Sequence, residues 1–223
     1  MTNTGRYIRA VLWDMDGTLM NSQPLWDEFF RRCCQERGGT VTPEQVAGIA
    51  GASIARTCEL IAETGATASP EDPATAEVFA EISAQVEAAV RADPPILPGA
   101  RNITATLNEV GLAQVIVTQS PRPIVEAVAH ALGDVFVELV TGDDGLPGKP
   151  TPAPYAAAIE RLGLSPEECV VVEDSPTGAA SARGNGIHVV QIGTTKHFPA
   201  DPGLVVVPDL ASITPHLLLW ADR

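Results

Sequence analysis

The sequence predicts an α/β fold: a doubly wound, mainly parallel, Rossmann-like sheet with a small inserted α-helical domain. Three observations predict it. Short valine-rich runs recur along the chain without alternating with polar residues, which suits strands covered on both faces. Helix-like stretches separate most of these runs, so strand and helix alternate. One long segment near the N-terminus breaks this rhythm and shows only helical periodicity.

The first apolar run is Val11–Trp13, stopped by Asp14. From about Ser22 to Pro95 there is no strand-like run. Leu25, Trp26, Phe29, Phe30 and Cys33 recur at helical spacing, as do Val78, Phe79, Ile82, Val86 and Val90. Ser53–Glu63 is a third helical candidate, and the polar, proline-containing Ala66–Ala76 is expected to be a loop. Asp93-Pro94-Pro95 and Pro98-Gly99 mark the return to the sheet. The expected division is therefore a core of residues 1–20 and 96–223 and a helical insertion of residues 21–95. Further strands are expected at Gln114–Val117, Val135–Val140, Cys169–Val172, His188–Ile192 and Leu204–Val207. Helices are expected at Pro123–Leu132, Pro154–Leu162 and Pro176–Arg183.

With 223 residues, 45% of them hydrophobic, the chain can bury a sizeable core, and disorder is not expected. A formal net charge of −14 argues against nucleic acid and anionic membranes as partners. It leaves room for a small anionic substrate, because a bound cation can reverse the field in one cleft. Cys33, Cys34, Cys58 and Cys169 form no CxxC pair and read as buried, reduced thiols of a cytoplasmic protein. No signal-peptide pattern and no membrane-length apolar run is present. The expected state is a monomer or a homodimer.

In an open α/β sheet, ligands bind outside the carboxyl ends of the strands. The residues just beyond the apolar runs are Asp14-Met15-Asp16-Gly17-Thr18, Thr118-Gln119-Ser120 and Glu173-Asp174-Ser175, with a Gly148-Lys149-Pro150 turn after the third run. Four acids, a hydroxyl and one of only two lysines in the chain would converge on one edge.

These motifs resemble those of the haloacid dehalogenase-like (HAD) phosphohydrolases. DMDGT is similar to that family's first signature, TQS to its Thr/Ser motif, GKP to the segment holding its lysine, and VVEDSPTG to its acidic motif. Order and spacing agree over essentially the whole chain, and the insertion after the first strand corresponds to the family's helical cap. The resemblance implies a Mg²⁺-dependent phosphatase acting on small phosphorylated metabolites, sugar or polyol monophosphates among them. Asp14 would be the nucleophile that forms an aspartyl-phosphate. Asp16 would be the general acid and base. Thr118 and the backbone amide of Gln119 would bind the phosphate, with Lys149 pairing with both phosphate and Asp14. The Asp14 and Asp174 carboxylates and the Asp16 backbone carbonyl would hold the metal, with Glu173 a ligand directly or through water. In the cap, Gly51, Ser53 and Arg56 lie in a stretch that resembles the loop entering the active site of related enzymes, where Arg56 would reach substrate or remain a surface arginine.

The chain departs from the family in three places. Asn21 and Gln23 stand where acids are usual. The β-phosphoglucomutases of the family, which resemble this chain closely, tend to have a histidine near the Trp26 position, and its absence favours hydrolysis over phosphomutase chemistry. Arg183-Gly184-Asn185-Gly186 replaces alanines in the helix after Asp174, so that helix is expected to end early. A 2-haloacid dehalogenase would lack an acid at Asp16. A phospho-accepting signalling domain would be far shorter and would place its acids differently. A catalytically silent binding protein would not need the full acid, hydroxyl and lysine set. Asp143-Asp144, flanked by Gly142 and Gly145, reads as turn chemistry, and the four scattered histidines are assigned none.

Overall fold

A computed structural model describes residues 8–193 and 204–218. The chain runs β1 (Ala10–Trp13), then four helices, α1 (Gln23–Glu36), α2 (Pro43–Gly48), α3 (Ile54–Glu63) and α4 (Pro73–Ala92). It continues α5 (Ala100–Glu109), β2 (Ala113–Val117), α6 (Arg122–Ala131), β3 (Glu138–Val140) and α7 (Ala153–Leu162). It ends β4 (Cys169–Glu173), α8 (Pro176–Arg183), β5 (His188–Ile192), β6 (Leu204–Val207) and α9 (Pro215–Leu218).

All strand pairs of the six-stranded sheet are parallel, in the order β3-β2-β1-β4-β5-β6. The chain builds outward from β1 to β3, then crosses back to the other side of β1 for β4. The strand order therefore reverses between β1 and β4, where ligands of such sheets bind. Side chains from the two faces of β1 enter two apolar layers. Val11 and Trp13 pack with Ile116, Ile124 and Val128, while Ala10 and Leu12 pack with Val115, Tyr155, Val171 and Ala179. The first layer continues without a break into the insertion through Phe30, Ile61, Val78 and Val86. α4 packs against both α1 and α6, so the insertion is seated on the sheet's own helices.

The two passes between sheet and insertion run side by side. Met20 bridges Ile96, the Asn21 N–H donates to the Pro95 carbonyl at 2.9 Å, and the Leu97 N–H donates to the Leu19 carbonyl at 2.9 Å.

Two expected boundaries need correction. β3 spans only Glu138–Val140, because it is an edge strand that pairs with β2 alone, and Val137 just before it is 62% exposed. Pro73–Ala76, expected to be loop, form the first turn of α4. Asp72 caps that helix by accepting from the Ala74 N–H at 2.9 Å, and proline at the first helical position needs no donor. α2, α5 and α9 were not anticipated. α8 ends at Arg183, as the Gly184–Gly186 spacing predicts.

Among the described residues no helix is long and apolar enough to cross a membrane. All four cysteines are free, and Cys33, Cys34 and Cys169 are buried. Cys58 is half-buried, a correction to the reading of four buried thiols. Burial pushes the Cys34 thiol up to about 11 and that of Cys169 to about 12, which keeps both protonated.

Candidate active site

Asp14 follows the last residue of β1, at the point where the strand order reverses. Its backbone N–H donates to the Val172 carbonyl of β4 at 3.0 Å, which extends the ladder by one residue and holds the carboxylate at the sheet edge. The side chain is buried. Oδ1 accepts from Lys149 Nζ at 2.7 Å, and Oδ2 has no hydrogen-bond partner among the described residues. Lys149 also donates to Glu173 Oε1 at 2.7 Å, and its own side chain is only 4% exposed.

Glu173 is fully buried and accepts four hydrogen bonds. Lys149 and the Tyr155 hydroxyl (3.0 Å) donate to Oε1. The Ser175 N–H (3.1 Å) and hydroxyl (2.9 Å) donate to Oε2. Gly178, in the first turn of α8, makes room for it: a β-carbon there would collide with the Glu173 carboxylate. Ser175 caps α8 as well, its oxygen accepting from the Gly178 N–H at 3.0 Å. Ser175 thus serves the helix and the Glu173 carboxylate at once.

Burial, then the charge of Glu173, pushes the Asp14 carboxyl well above the usual carboxylate range. Asp174 adds to this and Lys149 opposes it. Burial works against the Lys149 ammonium, but Asp14 and Glu173 outweigh it and hold its pKa well above the ordinary lysine value. Lys149 thus bonds two buried carboxylates at once, those of Asp14 and Glu173.

Asp16 is held by hydroxyls. Ser22 donates to Oδ1, and Thr118 (3.0 Å) and Ser120 (2.7 Å) donate to Oδ2. Thr118 thus directs its hydroxyl to Asp16. Gly17 lets the chain turn between Asp16 and the rest of the loop. Its φ of +93° suits glycine, and a β-carbon there would come within 2.6 Å of Asp174 Oδ2.

These groups open into a cavity of about 310 Å³. Asp14, Asp16, Thr118, Gln119, Lys149 and Asp174 line its sheet side, and Gly51 lies on the helical side. The Gln119 side chain crosses the gap, donating from Nε2 to the Gly51 carbonyl at 2.6 Å. Glu173 sits behind Lys149. The remaining two sequence candidates lie outside the cavity lining. Ser53 caps α3 by accepting from the Arg56 N–H at 3.2 Å, and Arg56 pairs with Glu59 at 2.7 Å and Glu63 at 2.8 Å.

Asp14, Glu173 and Asp174 each place a carboxylate oxygen within 4.8 Å of the other two. A set of hard oxygen donors and an orphaned buried Asp14 oxygen fit a hard divalent cation.

Sequence reading assigned no role to Ser22, Ser120 or Tyr155. Ser120 stood inside the quoted TQS motif and could have been found there. Tyr155 carries no local signal, since it is a buried helical aromatic whose hydroxyl meets a residue 18 positions away. Asp143 and Asp144 lie in a single 3₁₀ turn, Gly142–Asp144, as turn chemistry predicts.

Residues 8–186 match the family described as haloacid dehalogenase-like hydrolase. Hexitol phosphatase A of Escherichia coli is 31% identical, over 86% of each chain. Validoxylamine A 7'-phosphate phosphatase of Streptomyces hygroscopicus subsp. limoneus is also 31% identical, over 94% of this chain and 98% of its own. The crystal structure of β-phosphoglucomutase from Clostridium difficile superposes with a TM-score of 0.81 at 16% identity, over 96% of this chain and 97% of that one, a likeness of fold. By its matched residues, its relatives and its strand order, the chain belongs to the haloacid dehalogenase-like hydrolases.

Proposed function

We propose that this haloacid dehalogenase-like phosphatase hydrolyses sugar or polyol monophosphates through an aspartyl-phosphate on Asp14. The observation that carries the reading is the state of Asp14, a residue of the cavity lining: one oxygen is anchored by Lys149, the other is buried without a hydrogen-bond partner. A carboxylate fixed through one oxygen and unpartnered at the other is suited to attack phosphorus. Relatives named for a hexitol phosphatase and for a phosphatase of validoxylamine A 7'-phosphate support the substrate class.

Asp14 attacks the phosphorus while the bond to the leaving oxygen breaks, and Asp16 gives that oxygen a proton. Asp16 then takes a proton from the water that attacks the aspartyl-phosphate, and inorganic phosphate leaves. Turning Asp16 towards the leaving oxygen frees the Thr118 hydroxyl to donate to the phosphoryl group, beside the Gln119 amide. Lys149 holds Asp14 in its attacking rotamer and offsets the approaching negative charge. Mg²⁺ would be held by Asp14, Asp174 and the Asp16 backbone carbonyl and would neutralise phosphoryl charge. The four donors already on Glu173 support a role for it through water.

Residues 21–95 are read as the cap and residues 1–20 and 96–223 as the catalytic core, in keeping with the paired passes at Met20–Ile96 and Asn21–Pro95. The cap would exclude water from the first step and read the leaving group. Four free cysteines support a reducing compartment, the cytoplasm.

The test is phosphate release from p-nitrophenyl phosphate and a sugar-phosphate panel, with Mg²⁺ and with a chelator, for wild type and Asp14→Asn. Turnover should require Mg²⁺ and fall roughly 10⁴–10⁶-fold in the variant. An Asp14→Asn protein as active as wild type would refute the reading.

A further inference from the structure

The two walls of the cavity differ in chemistry. The sheet wall holds three acids, Asp14, Asp16 and Asp174, and Lys149. The helical wall, formed by Trp26, Ile49, Ile54, Thr57 and Phe79, bears no charged side chain among the described residues. Trp26 and Phe79 stack with centroids 6.5 Å apart and an interplanar angle of 20°, giving a rigid apolar panel. Among the described residues, Arg56 and Lys149 are engaged elsewhere. Arg56 is drawn outward by Glu59 and Glu63, and Lys149 is committed to Asp14 and Glu173.

A leaving group that carried a carboxylate or a second phosphoryl group would have to bring that charge against this panel. It would lose its hydration there and gain no counter-charge, within a cluster already rich in acids. A polyol or ring alcohol meets the opposite situation. Its CH face can cover Trp26 and Ile54, while its hydroxyls reach Asn21, Gln23 and Thr57, which also line the cavity. A cavity of about 310 Å³ is at the small end of ligand sites, so one compact metabolite fills it.

We infer that the helical wall selects monophosphate esters of uncharged alcohols and rejects esters bearing a second anionic group, with Ile54 and the Trp26–Phe79 pair as the discriminating surface. This rests on the phosphatase reading above and adds the charge state of the leaving group. It also disfavours any cycle that must hold a bisphosphate.

The test compares kcat/KM for a hexitol 6-phosphate, 2-phosphoglycolate, fructose 1,6-bisphosphate and p-nitrophenyl phosphate, with Mg²⁺. The hexitol ester should exceed both competitors with a second anionic group by on the order of 100-fold, the effect of one uncompensated buried charge. Ile54→Arg should narrow that ratio by about tenfold by supplying the missing cation. Equal turnover of 2-phosphoglycolate or the bisphosphate by wild type would overturn the inference while leaving phosphatase activity intact. Absence of turnover of every ester, p-nitrophenyl phosphate included, would overturn the phosphatase reading and the inference with it.

Discussion

Two pairs of adjacent acids stand at the same edge of the sheet, Asp143-Asp144 beyond β3 and Glu173-Asp174 at the end of β4. Their partners separate them. Asp144 accepts from Thr141 and Arg122 on one oxygen, both at 2.9 Å, and from Arg161 on the other at 2.7 Å, while Asp143 accepts from the Arg122 N–H at 2.6 Å. Two arginines meet this pair, which fastens α6 and α7 to the end of β3. Beyond β4, Glu173 shares Lys149 with Asp14, and one Asp14 oxygen has no hydrogen-bond partner among the described residues. The titration directions differ accordingly. Burial tends to raise the Asp144 carboxyl, but the bonds from Arg161, Thr141 and Arg122 outweigh it and hold the group below the usual range, whereas Asp14 is held well above it. The difference teaches that neighbouring acids in sequence are uninformative until their counter-charges are counted. A pair met by two arginines is structural, and an acid with an unpartnered buried oxygen is the candidate for a ligand.

The strongest challenge to this contrast is Lys149→Met. It removes the cation that bonds both Asp14 and Glu173 and should lower kcat by roughly 10²–10³-fold. Without divalent metal it should also destabilise the fold by about 3–5 kcal/mol, because Asp14 and Glu173 are left buried and facing each other. Chemical unfolding in chelator and in Mg²⁺ measures both parts, and Mg²⁺ should recover some of the loss. A variant with wild-type turnover would erase the distinction between the clusters.

A smaller effect is expected at the saturated pair. Asp144→Asn should leave kcat close to wild type and cost about 1–3 kcal/mol of stability at neutral pH. The sign with pH follows from its lowered pKa. The stabilisation is present above the unfolded-state value of about 3.9 and is lost as pH falls through the still lower folded-state value. Urea unfolding at pH 7 and pH 3 should therefore show the gap between wild type and variant shrinking in acid. A large loss of turnover with no loss of stability would move Asp144 into the functional group.

The smallest effect is expected at Arg56. It is 44% exposed and bound to two surface glutamates, so Arg56→Ala should change KM for a neutral sugar phosphate by no more than about twofold. A tenfold rise in KM would place this arginine over the substrate after all.

Much of this site was legible before the fold was known. Asp14, Asp16, Thr118, Lys149, Glu173 and Asp174 each lie at or just beyond a buried apolar run or in a turn, and the sheet gathers such residues at one edge. The short reach of β3 and the early start of α4 were missed. An edge strand has only one neighbour to extend it, and the Asp72-Pro73 cap is stronger than the polar composition around it. Arg56 shows a different limit. Its position on α3 was readable, but the direction of a long side chain depends on Glu59 and Glu63, both on its own helix.

Local pattern was enough to predict the class of fold, the run of helices after β1 and the candidate acids, hydroxyl and lysine at one sheet edge, because strand ends and turns are encoded within a few neighbouring residues. Tertiary packing alone decided which donor serves which oxygen. The bond from Ser120 to Asp16 spans 104 residues and the one from Lys149 to Asp14 spans 135. It also decided that the wall facing Asp14 is uncharged, since that wall is assembled from helices whose inward faces are set only when they pack together.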